Sequence, residues 1–475
     1  MESNFWQYKR VYFVGIKGVA MAALALWAKG AGIKVMGSDT TEEFPTDIPL
    51  KKAKIKILTG FKKENISQFH PQLVIYTGAH EGEANPEVKA GQELGIPTLP
   101  HGKALGLAMA SKRQISVAGS HGKTTTAAMI ATILATAGYD PSYCVGCGEI
   151  FGIGGGGRYG RGDWFVAEAD EYVTDPGHDP TPRFLWQQPE ILVVTNIDYD
   201  HPDVYRSLAE VQEAFLKLVR QQQGLKLAVV NVDDPASSIL LTPPGGNVIT
   251  YGFSPRANFQ ISRVSFAPER TFFSLVQNGV SVGEFSLKVP GKHNAANAVA
   301  AIAVTRAVGF TWSQIRQGLL NFDGTKRRFE KIGRIGSTIL YDDYAHHPRE
   351  ITATLLAARQ WYPQRRLITV FQPHTYSRTK ALLPDFAQAF GQSDIVMITQ
   401  IYASAREHED LGMTGEKLTR EIAKYHPHVL YARDLDGVVK IITQTIKAND
   451  IILLAGAGNI YTWGRKILER IKLKT

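Results

Sequence analysis

Residues 119–124 read Gly-Ser-His-Gly-Lys-Thr, a glycine-bounded turn that ends in a lysine and a hydroxyl. The apolar run 115–118 before it predicts a strand, and the Ala- and Thr-rich run after it predicts a helix from Lys123 to about Ala137. A helix that starts there points its unpaired first-turn N–H groups at an anion. Gly119, Ser120, His121, Gly122 and Thr125 would cradle phosphates, Lys123 would neutralise the β and γ phosphates, and the Thr124 hydroxyl would reach Mg²⁺. The turn is shorter than G-x-x-x-x-G-K-[ST]. The strand, turn and helix together still point to a nucleoside triphosphate.

Acidic and imidazole groups gather where such a ligand would keep its metal. The stretches "DWFVAEADEY" and "PEILVVTNIDYDHPDVY" are apolar strands that run out into Glu168, Asp170, Glu171, Asp198, Asp200 and His201. Open α/β sheets bind ligands at the carboxyl ends of their strands. Glu168 and His201 are the expected metal donors. "YDDYAHHP" offers Asp342, Asp343, His346 and His347. Their spacing alone is a weak zinc signal, and holding a ribose or an acyl group suits them better. In "KRRFE", Arg327 and Arg328 either reach across a closing cleft or sit in a solvated hinge. In "FQPHTYSRTK", Arg378 has the forked geometry to clamp a small carboxylate, with His374 beside it. Cys144 and Cys147 form a single C-x-x-C pair, too few thiolates for structural zinc, and they read as small residues of a strand.

Three α/β segments are needed to position these groups. Residues 1–107 contain a βαβ pattern in which Gly15 and Gly18 let the backbone approach a diphosphate and Asp39 is spaced to reach a ribose. Residues 108–324 carry the phosphate turn, further strands and a more irregular run at about 245–289 that reads as antiparallel strands. Residues 325–475 return to alternating strands and helices. The expected fold is α/β in three domains: Rossmann-like, P-loop ATPase with a mixed sheet, and Rossmann-like. The chain has 475 residues and a net charge of +9, from 53 basic and 44 acidic residues, with no basic run of five or more. That argues against nucleic acid and for small anions. No stretch of 18 apolar residues and no signal peptide are found, and there are two cysteines, so no membrane association and a cytoplasmic location are expected.

Taken in order, "AGSHGKTTT", "AEADEY", "TNIDYDHPDVY", "GKHNAANAVAA", "KRRFE", "YDDYAHHP" and "FQPHTYSRTK" resemble the Mur ligases of peptidoglycan precursor synthesis over roughly residues 10–465. The resemblance implies an ATP- and Mg²⁺-dependent amide ligase that joins L-alanine to the lactyl carboxylate of UDP-N-acetylmuramate through an acyl phosphate. It implies that Gly15, Gly18 and Asp39 serve the UDP portion, and that Lys123, Thr124, Glu168 and His201 serve phosphates and metal. His293, Asn294 and Asn297 would border the adenine, with Arg328 and Asp343 reaching ATP from beyond the hinge. His347, His374 and Arg378 would lie near the amino acid and the acyl phosphate. Two positions depart from the alanine-adding pattern. Asp-Glu-Tyr at 170–172, followed by an inserted loop at 176–182, is similar to a sister branch that attaches a tripeptide to the same nucleotide. His101 stands where an arginine is common. The tripeptide acceptor therefore stays open as an alternative, as does a non-catalytic nucleotide-binding regulator. The oligomeric state is read as monomer or homodimer.

Overall fold

A computed structural model describes residues 4–242, 247–404, 407 and 409–472. Three separate α/β sheets follow one another along the chain. The first is fully parallel, in the order Lys56–Thr59, Lys34–Asp39, Arg10–Val14, Leu73–Tyr76 and Thr98–Pro100. Side chains of a strand alternate between faces, so Val11 and Phe13 pack with Trp27 on one side while Tyr12 and Val14 pack with Phe69 and Val88 on the other. Apolar groups on both faces are the signature of a parallel sheet covered twice by helices.

The second sheet has ten strands and is mixed. Its centre is Arg113–Ala118, hydrogen-bonded in parallel to Trp164–Glu168 on one side and Ile191–Val194 on the other. The register pairs Ala118 with Val194 and Val117 with Glu168, so the turn at 119–122 leaves the sheet at the edge where Glu168 ends its strand. Helices Lys123–Thr136 and Lys292–Val308 cover one face, with Val117, Val193, Ile130 and Val299 in a common core. The second helix is more than half alanine and valine because it is enclosed, and it ends at Gly309 in the left-handed conformation that glycine adopts without a steric penalty. In the irregular run, Asn247–Gly252 is parallel and Phe259–Ala267 joins it in parallel, so only Arg270–Gln277 and Val280–Leu287 extend the sheet in the antiparallel sense that the sequence suggested for the run. The third sheet has six strands. Only its edge pair, Glu330–Ile335 with Thr338–Asp343, is antiparallel. No helix among the described residues is long and apolar enough to cross a membrane.

Two local features tie the central domain to the first, and the hairpin differs from the expectation. Residues 176–182 are not a plain inserted loop. Val173–Asp175 and Asp179–Pro182 pair as an antiparallel hairpin, which leans on the first sheet's loops rather than on the third domain. There Asp175 Oδ2 accepts from Glu83 N at 2.8 Å, and Lys103 Nζ lies 3.1 Å from Asp179. The second feature is the run Gly154–Arg158, an edge strand of the central sheet. It lies so close to helix Val19–Gly30 that a Cβ on Gly157 would overlap the Ala23 carbonyl. Cys144, on the neighbouring strand, packs into the same core as Trp27, whereas Cys147 faces the opposite core, so the two thiols form no dithiol pair.

The backbone contact at Gly157 seats the first domain on the second. Gly157→Ala should therefore destabilise the protein by about 1–3 kcal/mol, seen as a lower denaturant midpoint. An unchanged midpoint would contradict this packing.

Candidate active site

The phosphate turn is shaped by the segment after strand Ile191–Val194. Asn196 Oδ1 accepts from His121 N at 2.9 Å, while Asn196 Nδ2 and Thr195 Oγ1 donate to the His121 carbonyl at 2.9 and 2.6 Å. Ser120 Oγ donates to the Asp198 carbonyl and accepts from Asp198 N. Gly119 and Gly122 take positive φ, and helix Lys123–Thr136 opens directly behind them. Lys123 Nζ donates to Glu171 Oε2 at 2.8 Å and lies 3.8 Å from Asp170. Burial opposes its charge, but these two carboxylates hold the ammonium above its ordinary range. Thr124 Oγ1 donates to Glu168 Oε2 at 3.0 Å, and Glu168 Oε1 accepts from Gly146 N at 2.5 Å. Thr124 and Glu168 thus come together as expected. His201 sits in the loop beyond its strand, 3.7 Å from Asp200 and 3.8 Å from Glu171, with its ring edge-on to Tyr172.

The third domain closes against this edge. Arg327 and Phe329 both have positive φ, an uncommon backbone for side chains of that size, and the tight turn they make carries Arg328 into a cavity of about 280 Å³. The neighbouring arginines have different fates. Arg327 is buried, donating to the Gly456 carbonyl and to Asp342 at 3.3 Å and stacking over Tyr461, so its role is structural. Arg328 lines the cavity with Gly122, His293, Asn297, Asp343 and Glu350. Asn297 Nδ2 donates to Asn294 Oδ1, and Asn294 Nδ2 donates to the Pro290 carbonyl, which fixes both amides on the cavity wall. Asp343 accepts from Phe329 N at 2.7 Å and from Ala345 N at 2.8 Å, tying the arginine turn to its own sheet.

Charged contacts cross the seam between the second and third domains. His121 of the phosphate turn donates from Nε2 to Asp198 at 3.1 Å and from Nδ1 to Glu350 at 3.3 Å. Burial opposes its charge, yet the two carboxylates push the imidazolium pKa up to about 10. His347 caps helix Pro348–Trp361 by accepting from Arg349 N at 3.3 Å, and its ring lies 4.8 Å from that of His121. Burial, then the nearby His121 charge, lowers the His347 pKa and keeps it neutral. Its Nε2 is buried with no hydrogen-bond partner. Arg378 NH2 lies 3.2 Å from Asp200 Oδ1, and NH1 is 3.3 Å from His374 Nδ1. His374 stacks on Tyr402, and Thr375 beside it has φ +67°. The Arg378 guanidinium is thus paired with a carboxylate of the second domain.

In the first domain, Gly15 takes φ +78°, and Gly18 is the residue before helix Val19–Gly30. Asp39, expected to face a ribose, is buried and accepts from Lys17 N at 2.7 Å and Thr40 N at 2.8 Å. Its carboxylate is spent on the loop's own N–H groups. Sequence reasoning missed Glu350, although His347-Pro-Arg-Glu350 is a capping-box spacing that the structure realises. It also missed Asn196 and Gly146, whose backbone and amide roles carry no side-chain signature. His101 is buried below helix Val19–Gly30, with Nε2 3.1 Å from the Ala20 carbonyl. Burial pushes its pKa down to about 4 from 6.5. The unfolded chain therefore takes up a proton between those values that the folded one refuses. His101 should cost up to about 1.4 kcal/mol of stability per pH unit as pH falls from 6.5 to 4. Chemical denaturation across this window should show a shallower fall for His101→Gln, and equal slopes would contradict the reading.

Three family models match the chain: the Mur ligase family catalytic domain over residues 10–113, the Mur ligase middle domain over 177–305, and the Mur ligase glutamate ligase domain over 327–458. A UDP-N-acetylmuramate–L-alanine ligase of Desulfitobacterium hafniense is 38% identical over 96% of this chain and 99% of its own length. One of Caldanaerobacter subterraneus is 39% identical over 99% of this chain and its full length. Among solved structures, the UDP-N-acetylmuramate–alanine ligase of Thermotoga maritima superposes with a TM-score of 0.81 at 28% identity, covering 98% of this chain and all of that one. A murein peptide ligase of Psychrobacter arcticus shares the fold, with a TM-score of 0.72 at 23% identity over 97% of this chain and 98% of its own. With identity of this order sustained from end to end, and with the three-domain architecture in common, the chain belongs to the Mur ligase family.

Proposed function

We propose that this protein is an ATP-dependent amide ligase that joins L-alanine to the lactyl carboxylate of UDP-N-acetylmuramate, releasing ADP and phosphate. The curated relatives above act as UDP-N-acetylmuramate–L-alanine ligases. One observation carries the reading in this chain: the phosphate turn with Lys123 and Thr124 shares a seam with Arg328, Asp343, His347 and Arg378 of the third domain. A nucleotide-binding regulator has no use for an amino-acid clamp beside its phosphates. We assign residues 1–107 to the nucleotide sugar, 108–324 to ATP and 325–475 to the amino acid and to closure over ATP.

In this reading the adenosine lies in the cavity between Asn297, His293 and Arg328, and the triphosphate runs to the helix terminus at Lys123. Thr124 and Glu168 present two oxygens 3.0 Å apart, a fit to the hard donor set of Mg²⁺, and His201 with Glu171 is a further donor pair. Mg²⁺ held there would neutralise the β and γ phosphates. Gly15 and Gly18 bring backbone to the UDP diphosphate, whereas Asp39 shapes the loop rather than holding the ribose. A lactyl carboxylate oxygen attacks the γ-phosphorus, the bond to the β–γ bridging oxygen breaks, and ADP leaves. Lys123 and Arg328 balance the charge spread over the phosphoryl oxygens. Arg378 exchanges Asp200 for the carboxylate of L-alanine, with His374 bracing the guanidinium. The amine attacks the acyl carbon, the C–O bond to phosphate breaks, and the amine's proton passes to the neutral imidazole of His347. Closure of the seam keeps water from the acyl phosphate.

The tripeptide acceptor remains the second reading, favoured by Tyr172 and the hairpin that follows it. Purified protein with ATP, Mg²⁺ and UDP-N-acetylmuramate should release phosphate with L-alanine and far less with L-alanyl-γ-D-glutamyl-meso-diaminopimelate. Preference for the tripeptide would transfer the protein to the second reading, and silence with both would refute ligation. In the same assay Lys123→Ala should lower kcat by about 10²–10³-fold. Arg378→Lys should raise KM for L-alanine about tenfold or more, because a point charge replaces a bidentate fork.

A further inference from the structure

The hairpin of Val173–Asp175 and Asp179–Pro182 belongs to the central domain, yet its tip meets a loop of the first. It is anchored on its own side. Arg183 Nε donates to the Val173 carbonyl at 3.1 Å, and Thr174 Oγ1 donates to the Thr181 carbonyl at 2.6 Å and accepts from Trp186 Nε1 at 2.9 Å. Helix His101–Met109 packs so tightly on this segment that a Cβ on Gly106 would overlap the Trp186 carbonyl. A hairpin tied down through both strands is a rigid arm rather than a free loop.

Asp175, at the tip, is buried and reaches into the first-domain loop 77–85. Its Oδ2 accepts from Glu83 N at 2.8 Å and has His178 Nδ1 at 3.6 Å, while Oδ1 lies against Gly82, where any Cβ would overlap it. Pro176 Cδ sits against Gly78, where a Cβ would come within 2.7 Å. Between these two contacts His80, Glu81 and Gly82 take φ of +55°, +69° and +51°. Left-handed backbone at two consecutive residues other than glycine persists only where the surroundings impose it. On its far side the loop faces the turn expected to meet a diphosphate: a Cβ on Gly15 would lie 2.5 Å from Thr77 Cγ2 and 3.5 Å from the His80 ring. The His80 ring also packs on Phe61 at 4.9 Å, with Nε2 3.9 Å from Asp39. Residues just past the ends of four strands of the first sheet therefore converge at one edge, the edge at which open α/β sheets take their ligands.

We propose that Asp175 is a positioning residue for the nucleotide-sugar donor: from the central domain it fixes the loop 77–85, so that Thr77 and His80 close one side of the nucleoside-diphosphate site at Gly15. The inference rests on the assignment of the first domain to the nucleotide sugar. It gives the hairpin a task on the donor side that is the same whichever acceptor the ligase uses. Without the carboxylate, Glu83 N loses its acceptor and Gly82 its neighbour, and the loop is released from its left-handed path. Lys123, Glu168 and Arg378 make no contact with Asp175 and keep their partners.

Calorimetric titration of the full-length protein with UDP-N-acetylmuramate and, separately, with ADP tests this, together with steady-state KM and kcat. Asp175→Ala should weaken nucleotide-sugar binding about tenfold or more and raise its KM in step, with kcat and ADP affinity unchanged. Asp175→Asn keeps an oxygen to accept from Glu83 N and should bind close to the parent protein. Gly82→Ala breaks the same contact from the loop side; it should reproduce the loss alone and add less to Asp175→Ala than its single effect. Circular dichroism establishes that each variant is folded, and Gly82→Ala carries the test should Asp175→Ala fail to fold. Asp175→Ala that binds the nucleotide sugar as tightly as the parent, or that loses ADP affinity to the same degree, would overturn the positioning role and leave the ligase reading standing. A parent protein that binds ADP but not UDP-N-acetylmuramate would refute the donor assignment itself, and the role of Asp175 with it.

Discussion

The structure depends on charges that are buried across a domain seam and satisfied only when the seam is closed. His121 lies between Asp198 of its own domain and Glu350 of the next, and Arg378 of the third domain meets Asp200 of the second. Removing one partner of such a pair leaves an uncompensated charge in a poorly solvated place, at a cost of about 3–5 kcal/mol. The pairs therefore fix which faces of the two domains meet. Their register sets the cavity, the approach of Arg328 and the position of the His347 cap.

The same arrangement pairs two cations of the seam with protein carboxylates. Lys123 rests on Glu171 and Arg378 on Asp200, so each cation waits against a protein carboxylate at the place where an anionic substrate group is to arrive. A phosphate or an amino-acid carboxylate then replaces an existing partner rather than recruiting a distant side chain. Preorganised cations of this kind cost little rearrangement at the moment of reaction, which is where electrostatic catalysis draws its strength. Neutral His347 beside charged His121 completes a division of labour between adjacent imidazoles, set by which of them has carboxylate neighbours.

Much of the fold was legible in the sequence, because alternating apolar strands and glycine-punctuated turns report on local geometry. The strand, turn and helix around Gly119–Thr124 and the return of α/β alternation after residue 325 follow from that pattern. Thr124 with Glu168 was also foreseeable, since both lie where adjacent strands end. What sequence could not resolve depended on close approach in three dimensions. Arg327 and Arg328 are chemically identical, and only the left-handed turn at 327–329 decides that one is packed and the other lines the cavity. Asp39 had the spacing for a ribose, but two backbone N–H groups of its own loop reach it first. Gly155, Gly157 and the hairpin at 173–182 answer to the first domain, whose distance in sequence hides the contact.

On the proposed function, the second and third domains meet so that a carboxylate oxygen of one substrate passes to phosphorus and leaves with it. Turnover of UDP-N-acetylmuramate labelled with ¹⁸O in its lactyl carboxylate, in the presence of ATP and L-alanine, tests this most directly. One labelled oxygen should appear in each phosphate released, since the acyl C–O bond breaks while the new P–O bond persists. Phosphate free of the label would mean that water attacks ATP, and the seam would then have to be understood without an acyl phosphate.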